Sequence, residues 1–183
     1  MTIQQALWET AVDQYGYVTT RDAQALGIPV VELAKLSHRG QLTRVAHGTY
    51  RFDRLPPTDR DEYALAVLWP GVEGAALAHD TALAVYELCD INPSKIHVVV
   101  PKGKRIRRSG GSKYVIHHED LTEGQLGWWE GIRTVTPLIA IAQGIRSGVP
   151  AELIEQAIKA AEARGFIRTG DRIRFANELK DRR

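Results

Sequence analysis

Apolar positions in the first fifty-five residues recur at helical spacing three times and then switch to alternation. Ile3, Leu7, Ala11 and Tyr15 lie at i, i+4 spacing, which predicts an amphipathic helix over 3–15 with Gly16 as its stop. Thr19 or Thr20 then offers a hydroxyl to the orphan N–H groups of a second, short helix reaching Leu26. Gly27 ends it, and Pro29 suits the first turn of a third helix over 29–39, closed by Gly40 in a left-handed conformation. Leu33 and Leu36 face inward, which leaves Val31, Glu32, Lys35, His38 and Arg39 on or near the outer face. Residues 41–45 and 49–52 alternate on either side of His47-Gly48, the pattern of a hairpin.

Two short helices joined by a glycine-containing turn form a helix-turn-helix, and a hairpin directly after it is a wing. The third helix, about 16 Å long, is long enough to lie in a major groove. From Lys35 to Arg54 five Lys/Arg stand against one Asp, while the whole chain of 183 residues carries only +2. Positive charge is therefore concentrated where phosphates would lie. The candidate DNA-contacting set is Thr20 and Arg21 at the start of the second helix, Val31, Glu32, Lys35, His38 and Arg39 on the third, and Arg44, His47, Thr49 and Arg51 in the wing. Glu32 counts against phosphate contact, although a carboxylate can accept from a cytosine amino group. Winged helices also serve as protein–protein modules, and a basic face is also what a solvated surface presents.

Leu55-Pro56-Pro57-Thr58-Asp59 interrupts the pattern and reads as a short stiff linker. It divides the chain into a winged helix-turn-helix over 1–55 and a mixed domain over 59–183, an α+β organisation with a small sheet and flanking helices. In the second part, 60–69 and 79–88 predict helices. Strands are expected at 95–100, 113–118 and 132–135, and helices at 137–144 and 150–164. The tail from Phe166 alternates and suggests a hairpin around Thr169-Gly170-Asp171. Between the first two strands the run 101–113 carries Lys102, Lys104, Arg105, Arg107, Arg108 and Lys113 and no acid. That run suits DNA, RNA or an acidic partner, and equally a solvated loop.

Little in the chain suggests catalysis. No nucleophile elbow, P-loop or strand-linked dinucleotide fingerprint occurs, and the acids show no pairing for proton transfer. His97 and either His117 or His118 are candidate cross-strand neighbours, but no metal-ligand spacing accompanies them, so exposed strand histidines are expected and no cofactor or metal. Cys89 is the only cysteine, which excludes an internal disulfide and a cysteine-based zinc site. Beside Asp90 it is expected to be a structural thiol. With no leader-like start and no apolar run of membrane-spanning length, a cytoplasmic protein is expected. Trp128-Trp129 lie in a glycine-rich stretch, 124–131, read as a loop with one ring in the core and the other free to anchor a partner.

Four segments, in order, resemble AbiEi-type antitoxins. They are Gly40–Val45 continued by His47–Arg51; Ala78-His79-Asp80-Thr81-Ala82-Leu83; Ile96–Pro101; and Thr134-Val135-Thr136-Pro137. The resemblance implies a two-domain bacterial antitoxin of the abortive-infection, type IV toxin–antitoxin class. Its winged helix would bind inverted repeats in its own promoter and repress the operon. Its second domain would counter a nucleotidyltransferase-like toxin without needing a stable complex. The resemblance assigns no residues to the antitoxin role; the run 102–113 is the candidate taken from charge. Similar segments precede nuclease domains in other proteins, but the acidic cluster such a nuclease needs is missing after Gly165.

Overall fold

In the computed structural model, which describes residues 1–182, the chain divides into two units. The first comprises Met1–Glu73 together with Ile106–Gly110, and the second Gly74–Arg105 with Gly111–Arg183.

The first unit is a winged helix. Helix α1 (Ile3–Val12) starts at Thr2, whose hydroxyl accepts from the Gln5 N–H, and buries Leu7 and Ala11. It is shorter than the expected 3–15, because Tyr15 and Gly16 take positive φ and turn the chain. That turn leads into strand β1 (Tyr17–Thr19), which alternation over so few residues did not reveal. Thr19 caps helix α2 (Thr20–Ala25) in a closed capping box with Asp22, so Thr20 is the first helical residue. Helix α3 (Val31–His38) buries Leu33 and Leu36 as expected, and Gly40 follows at φ 73. Strands β2 (Thr43–Ala46) and β3 (Thr49–Arg51) form the wing, and β1 pairs with β3 to give the order β1-β3-β2. Phe52 lies at the centre of this core, fully buried and edge-on to Trp8 at 5.2 Å.

The first unit does not stop at residue 55. Arg51 ties helix α4 (Asp61–Leu68) to the wing strand through an ion pair with Asp61 at 2.9 Å. The same guanidinium donates to the carbonyls of Phe52, Leu55 and Pro56. The prolines stiffen a bend within the unit, where a linker to a domain starting at 59 was expected.

The second unit has a five-stranded mixed sheet in the order β6-β5-β4-β8-β7. Its strands are β4 (Ala76–Leu77), β5 (Ile96–Val100), β6 (Tyr114–His118), β7 (Leu126–Trp129) and β8 (Ile132–Val135). Helix α5 (His79–Val85) follows β4 directly. Helices α6 (Pro137–Ser147), α7 (Ala151–Ala163) and α8 (Thr169–Arg182) add their apolar stripes to one core that includes Leu83, Val99, Ile141, Ile154 and Phe175. The tail is therefore a helix and not a hairpin. Asp171 accepts from the Arg168 N–H at its start, and Phe175 and Leu179, at i, i+4, are buried. The tryptophan segment is likewise a strand. Glu130 and Gly131 both take positive φ, the two-residue turn that joins β7 to β8.

Candidate nucleic-acid interface

The exposed side of the winged helix is built from three pieces. Val31, Lys35, His38 and Arg39 are exposed on and just after α3, because burial of Leu33 and Leu36 turns that helix's other face outward. Lys35 pairs with Glu32 at 2.7 Å, so Glu32 is partly neutralised on its own helix. Arg44 and His47 are exposed in the wing, and Arg21 on α2. The turn at 47–48 is held against the start of α2 by the Thr20 N–H, which donates to the Gly48 carbonyl at 2.9 Å.

Three residues of the expected set stand apart from that surface. Thr49 is buried, and its hydroxyl donates to the His47 carbonyl. Arg51 leaves 12% of its side chain exposed and spends its donors on Asp61 and three carbonyls, with its guanidinium beside the Tyr17 ring. Arg108, from the basic run, is half-buried in the first unit and donates to the carbonyls of His47 at 2.9 Å and Trp69 at 3.0 Å. Sequence counting treats every Arg in a basic stretch alike. What separates these from Arg44 is a carbonyl or carboxylate within reach. Lys102, Lys104, Arg105, Arg107 and Lys113 are exposed.

Residues 5–52 match the family described as transcriptional regulator, AbiEi antitoxin. The match runs from within α1 through β3. No curated protein matches the chain. Among solved structures, the RV2827C protein from Mycobacterium tuberculosis is similar, with 18% identity and a TM-score of 0.51 over 97% of this chain and 76% of that one. At that identity the likeness speaks for the fold alone, and it extends beyond residues 5–52.

The second unit holds a polar cluster that sequence reasoning took for exposed strand histidines. Because β5 and β6 run parallel, Val99 pairs with His117 and His97 with Val115, and the two imidazoles meet side by side. His97 Nδ1 lies 2.9 Å from His117 Nε2. His79 stacks on His117 with ring centroids 3.6 Å apart. It is buried, and its Nδ1 has no hydrogen-bond partner. Its backbone sits at φ 52, a conformation costly for a residue with a Cβ. Fully buried Gln143 holds it there: Oε1 accepts from the His79 N–H at 2.9 Å, and Nε2 donates to Glu119 at 3.0 Å. Burial, reinforced by His117 and His97, pushes the His79 pKa down to about 4. Burial also lowers His97, against the pull of Asp80, and lowers His117. Burial of Glu119 is outweighed by its hydrogen bonds from Arg146 and Gln143, and its pKa falls. Among the described residues no group of His, Cys, Asp or Glu is arranged to hold a metal ion. Half-buried Cys89 has its thiol pKa pushed up, first by burial and then by Asp90 and Asp80, as its neighbour suggested. No helix among the described residues is long and apolar enough to cross a membrane.

Proposed function

We propose that this chain is a sequence-specific DNA-binding autorepressor and antitoxin of a type IV toxin–antitoxin system, acting without catalysis in the cytoplasm against a nucleotidyltransferase-like toxin. The observation that carries the reading is α3. Its apolar stripe is sunk in the winged-helix core while Lys35, His38 and Arg39 stand exposed, as does Arg44 of the wing. The AbiEi match over the same residues supports it. In this reading α3 enters the major groove of the chain's own promoter, and Arg21, Arg44 and His47 contact the backbone on either side. Thr20 contributes through the turn it holds. The exposed cations Lys102, Lys104, Arg105, Arg107 and Lys113 form a second basic patch open to DNA or a partner.

A titration of duplex DNA from immediately upstream of the gene, against scrambled duplex at several salt concentrations, tests this. Specific binding that weakens steeply with salt is expected. Removing both cations in R39A/R44A should lower the salt slope by roughly 0.9 for each phosphate that is no longer neutralised. Equal affinity for scrambled DNA overturns the reading. A protein-interaction role gains support from one observation. Trp128, on edge strand β7, is 66% exposed with the Arg133 guanidinium 4.9 Å over its ring. A partner that no longer binds Trp128→Ala, with no DNA preference, would favour that role.

A further inference from the structure

The run 101–113 carries six cations, yet for five residues it belongs to the winged-helix unit. Within Ile106–Gly110 the Arg108 guanidinium is the anchor. One of its amino groups bridges the His47 carbonyl of the wing turn and the Trp69 carbonyl at the end of α4. The C-terminal carbonyls of a helix are the negative end of its dipole, so a cation is favoured there. The other amino group lies over Gly71, where a Cβ would come within 2.0 Å of it. Gly71 at φ 66 is thus both the turn that ends α4 and the floor of the guanidinium's seat. The Trp69 indole N–H closes the arrangement by donating to the Ser109 carbonyl at 3.3 Å.

The wing turn is consequently gripped twice, at Gly48 by the start of α2 and at His47 by Arg108. We propose that Arg108 is a positioning residue for the wing: it fixes the 47–48 turn and touches no phosphate itself. This rests on the DNA-binding reading above. The charge that sequence would assign to DNA contact is consumed inside the protein. Its neighbour Arg107 is exposed and is the natural comparison.

The test uses full-length Arg108→Ala and Arg107→Ala, which remove equal charge from adjacent positions. Amide exchange of the free protein is measured, together with the salt dependence of binding to the upstream duplex. R108A should speed exchange across residues 43–51 while α1 stays protected, and should weaken binding about tenfold at every salt with an unchanged slope. R107A should leave exchange as it is. Should R108A fail to fold, Arg108→Lys keeps the charge with fewer donors, and faster exchange confined to 43–51 is again expected. A slope lowered by about 0.9 with unaltered exchange would make Arg108 a phosphate ligand and overturn the proposal. So would unaltered exchange with unaltered affinity. If the wild type shows no preference for its upstream DNA, the DNA reading fails. Exchange alone then decides whether Arg108 holds the wing.

Discussion

The two units bury polar groups in different ways. In the winged helix the buried polar residues are Thr19 and Thr49, whose hydroxyls close local turns. Each bond spans two or three residues; the Thr19 cap is legible in the sequence, whereas Thr49 was expected at DNA. In the second unit His79, Thr81, Thr134 and Gln143 are buried, and three of them act over long sequence distances. Gln143 reaches back 64 residues to the His79 N–H, Thr81 accepts from the His97 N–H 16 residues away, and the His79 ring lies on His117. In the first unit the long-range polar bonds come from the permanently charged guanidinium of Arg108 and from the Trp69 indole and end on backbone carbonyls; the second unit builds a titratable network into its interior. The difference teaches that a fold can be legible while its interior chemistry is not, since networks of distant residues leave no spacing to read.

Acid should separate the units most sharply. A histidine whose folded pKa lies below its unfolded value binds fewer protons when folded. Stability is therefore full above about pH 6.5 and falls as pH drops toward 4. For His79, lowered to about 4, the loss approaches ~3 kcal/mol. His97 and His117 act in the same direction, and two protonated imidazoles in contact would each have only donors to present. Glu119, whose pKa is lowered, adds acid sensitivity at still lower pH. Urea unfolding followed at pH 7 and pH 4.5 checks this. His79→Asn tolerates the left-handed backbone and removes the titration, so its stability should depend less on pH. An equal pH dependence in wild type and variant would remove the histidine from the account.

A smaller effect, about 1–3 kcal/mol, is expected from Gln143→Leu. It leaves the buried His79 N–H and one Glu119 oxygen without their partner. Denaturant titration of that variant should show a lower midpoint and unchanged DNA affinity. Smallest is Thr19→Ala, which opens the capping box of α2 and should cost about 1 kcal/mol, the same at pH 7 and pH 5. Thermal melts at both values measure it.

Most of the winged helix could be read from residues, because its signals are local: Leu33 and Leu36 on one helix face, Gly40 after it, and alternation around His47-Gly48. Strand β1 escaped because three residues cannot show a period, and the 126–129 strand because Gly127 looked like a loop residue. The tail was misread because Ile173 and Phe175 alternate, while the helical pair Phe175 and Leu179 is what the core takes up. For the candidate interface, exposure decided which cations remain free to meet a phosphate, and exposure is a tertiary property. Arg44 and Arg51 are equivalent in sequence, yet one faces solvent and the other Asp61.

The return of Ile106–Gly110 to the first unit also sets a schedule for synthesis. A ribosome that has finished Glu73 has made every helix and strand of the winged helix, but not the arginine that grips its turn. At roughly 5–20 residues per second, Arg108 follows about 2–7 s later. For that interval the nascent winged helix has α3 complete and its wing turn held only from the α2 side. The first unit is thus complete only after two strands of the next unit, β4 and β5, have been translated.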